Sequence, residues 1–140
     1  MGKILCATRG GADSERTQQA AIALAKERGD ELVFLYVADS SFLDNIAAPV
    51  VVDVEGELDQ MGRFQLSLAQ EQAAEQGVDA QVAISHGHLQ IQLVLAAREL
   101  GATTIVLGRP QGRFAVFDEA NLQTFARELE ANTGAEVLVV

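Results

Sequence analysis

Basic residues are scarce in this chain: ten Lys and Arg stand against twenty Asp and Glu, a formal charge of −10 at pH 7. Nucleic-acid backbones demand clustered cations, so an extended surface for DNA or RNA is excluded. Docking on anionic lipid fails for the same reason; the acidity serves to keep a small protein soluble. Cysteine is nearly absent too. A lone Cys6 cannot form an internal disulfide, and nothing points to an oxidising compartment. No apolar run approaches the ~18 residues that span a bilayer. The opening Met1-Gly2-Lys3 runs straight into an apolar stretch, without the cationic-then-apolar leader of a signal peptide. It also lacks the Ser or Thr at residue 6 that N-myristoylation wants, because Cys6 stands there. A cytoplasmic protein is expected.

What is present is a globular composition, 49% apolar and 21% charged, in a length that suits one domain over residues 1–140. Two periodicities alternate along it. Lys3–Thr8 reads as a buried strand, followed by a turn and a helix capped by Asp13 or Ser14, with Ala20, Ala21, Leu24 and Ala25 at helical spacing and Gly29 as its stop. Leu32–Val37 is a second strand, and Ala38 to about Val54 is irregular. A helix from about Gly56 to Gln76 shows one face as Leu58, Met61, Gln65, Leu68 and Gln72. Val78–Ser85 alternates as a half-exposed strand does. A helix over His88–Leu100 carries Leu89, Leu93, Ala96 and Leu100 and stops at Gly101; Thr103–Leu107 is the fourth strand. Asp118 can cap a last helix holding Leu122, Phe125 and Leu129, which Gly134 ends before a final strand, Glu136–Val140. Strands alternating with helices imply right-handed parallel βαβ units. The expected fold is α/β: one doubly wound, open, parallel five-stranded sheet of order 3-2-1-4-5, Rossmann-like, with helices on both faces. Ligands of such sheets bind outside the carboxyl ends of the strands, at the switch point between strands one and four.

Two glycine-bearing loops fall there. Thr8-Arg9-Gly10-Gly11 follows strand one and Gly108-Arg109-Pro110-Gln111-Gly112-Arg113 follows strand four. Glycine lets the backbone approach a ligand, and helix N-termini supply N–H groups to an anion. Neither loop is a P-loop or a G-x-G-x-x-G fingerprint. Three of the ten basic residues, Arg9, Arg109 and Arg113, lie in these loops, and guanidinium forks suit phosphate or carboxylate. The competing reading pairs them with Asp13, Asp39 or Asp118. His86 and His88 form an H-x-H pair with no third ligand at a recognised spacing, so no metal site is assigned. Cys6 is expected to be a buried, inert thiol in the central strand. No Ser, His and Asp set and no G-x-S-x-G elbow appears, so no catalytic residue is assigned and binding rather than catalysis is expected.

Several pieces in order resemble the universal stress protein family along essentially the whole chain. They are Ile4–Thr8 before a helix containing Ala20–Ala25, Leu35-Tyr36-Val37, Gly87 before a helix with Ile91 and Ala96-Ala97, Ile105–Gly108, and the closing Ala135–Val140. The resemblance implies an adenine-nucleotide-α-hydrolase-like sheet, a regulatory role in stress response, an adenine nucleotide as the ligand, and a homodimer formed through the last strand. Val37 then matches the position whose backbone meets adenine. Nucleotide-binding members carry an acidic residue after strand one and a loop G-x2-G, nine residues, then G-Ser/Thr after strand four. This chain has Thr8-Arg9 at the first place. At the second, three residues separate Gly108 from Gly112, and Asp118–Gln123 stands near the position of the hydroxyl residues. A Gly-Arg-Pro loop with Arg after strand one is more similar to the stress-protein modules of potassium-sensing histidine kinases, some of which bind a cyclic dinucleotide. A small anionic or nucleotide ligand held by Thr8, Arg9, Gly10, Val37, Gly108, Arg109, Gly112 and Arg113 is the reading that follows. A dimeric interaction module without a nucleotide site is the alternative.

Overall fold

The computed structural model describes residues 2–8, 12–38, 54–108 and 119–140. Strand β1 (Lys3–Thr8) leads to α1 (Ala12–Arg28), β2 (Glu31–Ala38), α2 (Val54–Glu75), β3 (Ala80–His86), α3 (Leu89–Leu100), β4 (Thr104–Leu107), α4 (Glu119–Thr133) and β5 (Glu136–Val139). The strands form one parallel sheet of order β3-β2-β1-β4-β5, the order expected.

The period-2 alternation of each strand sends its side chains to two cores. Ile4, Cys6, Leu32, Phe34, Tyr36 and Val106 pack with Ala21, Ile22 and Ala25 of α1 and Leu66, Ala69 and Ala73 of α2. Leu5, Val33, Leu35, Ile105 and Leu107 pack with Leu93, Ala96 and Ala97 of α3 and Phe125 and Leu129 of α4. So α1 and α2 cover one face, α3 and α4 the other, and the covering changes sides between β1 and β4.

Helix ends follow the sequence signals, Gly101 most clearly: its φ of 69° is the left-handed cap, and its N–H reaches the last turn of α3. Gly29, Gly77 and Gly134 end the other helices in the same conformation. Three expectations need correction. Asp13 and Ser14 lie inside the first turn of α1, which begins at Ala12. The buried face of α2 is Gly62, Leu66, Ala69 and Ala73, not the face marked by Gln65, Leu68 and Gln72; Leu68 is 40% exposed. Small residues face the sheet because the helix lies close to it, and a Cβ at Gly62 would strike the ring of Tyr36. Strand β3 shows no clean alternation: as an edge strand it is half-exposed along most of its length, with Val82 at 41%. The irregular stretch 39–53 and the cap Asp118 lie outside the described residues, as do the side chains of Leu58 and Met61 from the expected α2 face and that of Leu122.

Candidate functional site

Parallel pairing runs level from Ile4↔Thr104 to Cys6↔Val106 on one side of β1 and to Thr8↔Tyr36 on the other. Continued by two residues, the register sets Thr8 beside Gly108, with Val37 one residue beyond Tyr36. Three predicted site residues, Thr8, Val37 and Gly108, therefore share the carboxyl end of adjacent strands at the switch point. Arg9, Gly10, Arg109, Gly112 and Arg113 lie outside the described residues, and so does their predicted convergence.

The floor of this end is polar, and α1 supplies half of it. Thr8 is 4% exposed and accepts a hydrogen bond from Nε2 of Gln18, 2.6 Å away and itself 5% exposed. Thr17 is also buried. A Cβ on Gly108 would collide with the Thr17 hydroxyl oxygen. The glycine at the end of β4 thus has a packing reason: the first half of α1 lies against the strand there. Val37 turns the other way, half-buried against the α3–α4 core. Thr17 and Gln18 escaped the sequence reading, although both were visible. They extend the stripe of Ala21, Ile22 and Ala25 one turn toward the N-terminus, and a polar residue on an apolar stripe must find a partner.

The hydroxyl and amide groups of this end are buried beneath it, with Gln18 bonded to Thr8. Cys6 lies two residues back in β1, fully buried, and burial pushes its thiol from 9.0 up to about 12, so it stays protonated and inert as expected. His86 ends β3 and His88 precedes α3, both exposed and at the sheet's edge rather than the switch point. Among the described residues no group of three His, Cys, Asp or Glu could hold a metal ion, and no helix is long and apolar enough to cross a membrane. An open cleft of about 310 Å³ between α1 and the end of α2, lined by Gln19, Ile22, Lys26 and Gln76 among others, has no part in this site.

A parallel sheet of this order, with helices on both faces, is that of a small doubly wound, Rossmann-like α/β domain. The model of the universal stress protein family matches residues 1–117. Universal stress protein YxiE of Bacillus subtilis is 30% identical, over 76% of this chain and 77% of the relative. The chain belongs to the universal stress protein family. In fold it is similar to a family member from Burkholderia pseudomallei, with 24% identity, 99% and 95% of the two chains covered and a TM-score of 0.73. It is also similar to a universal stress protein in complex with cAMP, with 20% identity, 99% and 96% covered and a TM-score of 0.71.

Proposed function

We propose that this domain is a non-catalytic regulatory module that takes a small anionic ligand, a nucleotide, between the loops after β1 and β4. The observation that carries the reading is the placement of Thr8, Val37 and Gly108 at the carboxyl end of three adjacent strands, where Thr8 is buried against Gln18. The arginines of both loops follow this end directly in sequence, so they are the groups to neutralise phosphate. The similarity in fold to a stress protein solved with cAMP supports a nucleotide as the class. The loop departs from the spacing that ATP-binding members use, which favours a mononucleotide, cyclic mononucleotide or cyclic dinucleotide over ATP.

Titration of the purified protein with AMP, cAMP, ATP and cyclic dinucleotides, followed by melting temperature and calorimetry, tests this. Saturable binding of one of them is expected, weakened about tenfold or more by Arg9→Ala or Arg109→Ala. Absence of any shift at millimolar ligand removes the reading for these compounds. A second reading rests on β5: it is an edge strand of the sheet, and Val137, Leu138 and Val139 are only half-buried there. Such an edge pairs with a second copy, and Leu138→Glu is expected to abolish that association in sedimentation.

A further inference from the structure

Six threonines occur in the chain, all among the described residues. Five have partners. Thr103 accepts from the N–H of Lys3, Thr104 from Arg28 and Thr8 from Gln18, while Thr133 donates to the carbonyl of Leu129 one turn back in α4. Thr124 has a partner as well. Thr17 is the exception. Its hydroxyl has no hydrogen-bond partner among the described residues, although the residue is only 3% exposed. It does not turn back to the carbonyl four residues earlier, as a threonine inside a helix often does.

Among the described residues every side-chain N or O atom shut off from solvent has a partner. The Thr17 hydroxyl has none, so it stays within reach of solvent, buried as its residue is. Its place in the fold is the switch point. Gly108 follows β4 without a side chain, and Oγ1 of Thr17 stands where a Cβ on that glycine would be. The next residue of α1, Gln18, lies on Thr8 at the end of β1, and its carboxamide oxygen is also without a partner among the described residues. Strands β1 and β4 are neighbours. Helix α1 therefore lays two unpartnered oxygens across the ends of the two strands that flank the switch point.

We propose that the Thr17 hydroxyl is a ligand contact and that it bonds the 2′-hydroxyl of a nucleotide's ribose.

This contact rests on a nucleotide lying between the loops after β1 and β4, as proposed above, and adds the group that reads its sugar. Chemistry selects the sugar over the phosphate. Thr17 and Gln18 are uncharged, and an acidic residue, Asp13, precedes Thr17 by four positions in the same helix. Phosphate is better served by the arginines of the loops. A sugar hydroxyl both donates and accepts, which suits a threonine hydroxyl beside a carboxamide oxygen. The 2′-hydroxyl is free in a mononucleotide, in a 3′,5′-cyclic mononucleotide and in a 3′,5′-linked cyclic dinucleotide alike, so one contact serves the whole class. Packing does not account for the hydroxyl, because a methyl in its place would fill the same space without burying a polar atom.

Calorimetric titration of the whole chain tests this, in wild type, Thr17→Val and Thr17→Ser. The probes are AMP, cAMP, ATP and cyclic di-AMP, each beside its 2′-deoxy counterpart. Wild type is expected to bind its ribonucleotide about 3–10-fold more tightly than the deoxy form. Thr17→Val should erase that margin, weakening the ribonucleotide by the same factor and leaving the deoxy form unchanged; Thr17→Ser should keep it. A packing role would shift both ligands together and overturn the contact. Melting curves without ligand give a second check. Valine has the shape of threonine and no internal bond is lost, so Thr17→Val should melt no lower than wild type. A lower melting temperature would assign the hydroxyl to a bond within the fold and overturn the contact. Equal affinity of wild type for the two sugars, or a margin that survives in Thr17→Val, would also overturn it, with nucleotide binding left standing. If wild type binds none of the four ribonucleotides, the nucleotide reading and this contact fall together.

Discussion

The two ends of the same five strands are built differently. At the amino end, side chains tie the chain to itself across the sheet. Asp30 accepts from the backbone N–H of Gly2 at 3.0 Å, Thr103 Oγ1 accepts from the N–H of Lys3 at 3.0 Å, and Lys3 meets Glu31 at 3.4 Å. Arg28 reaches under the sheet to Thr104 and Glu136. At the carboxyl end the described residues offer a glycine, two threonines and a glutamine, packed closely and joined by the Thr8–Gln18 bond. Ties that hold the fold gather at the amino end and in the cores, while the carboxyl end is the one at which we propose a ligand binds.

The largest expected effect lies between the ends, at Cys6. The unfolded chain releases its thiol proton near 9.0, whereas the fold holds it to about 12. Between these values the unfolded state binds fewer protons than the native state, so stability is complete below pH 9 and falls as pH rises toward 12. Full ionisation corresponds to ~4 kcal/mol. Denaturant titrations at pH 8 and pH 11 should show a steeper loss in wild type than in Cys6→Ala; equal slopes would contradict the burial. Next comes Gly108→Ala, which forces its Cβ onto Thr17 and is expected to cost about 1–3 kcal/mol. Thr17→Ala in the same chain should return most of that, a coupling a double-mutant cycle reads directly. Gln18→Leu is expected to cost ~1 kcal/mol by removing the donor to Thr8. It should also weaken ligand binding at the carboxyl end, which makes it a test of the comparison rather than of stability alone.

The sheet was legible because β-branched and aliphatic runs alternate with helical stripes, and Gly29, Gly77, Gly101 and Gly134 end the four described helices. The packing of α2 was not legible from residue size. Its larger Phe64 and Leu68 face outward while Gly62, Ala69 and Ala73 face the sheet, since close approach rewards the smallest side chains. Periodicity counts apolar positions, so it passed over Thr17 and Gln18 even though they continue the buried stripe of α1. At the site, sequence order placed Thr8, Val37 and Gly108 at one end of the sheet because parallel register is set by the strands themselves. The direction of the arginine side chains depends on loop conformation, which no pattern of residue types encodes.

The smallest effect expected separates two bonds made by one side chain at the amino end. Arg28 Nη1 donates to Thr104 Oγ1 at 3.2 Å, and Nη2 stands 3.9 Å from a carboxylate oxygen of Glu136. The ion pair is between side chains 39% and 57% exposed, and such pairs contribute roughly 0–1 kcal/mol that salt screens. Thr104 is 2% exposed, and its bond is worth about 1 kcal/mol that salt leaves in place. Arg28→Ala should therefore cost ~1 kcal/mol by denaturant titration, and most of that cost should persist in about 1 M NaCl. A cost that vanishes in salt would assign the clasp to the ion pair instead. Ligand affinity should be unchanged in this variant, because Arg28 acts at the end of the sheet opposite Thr8 and Gly108; a weakened ligand would show that the two ends are not independent.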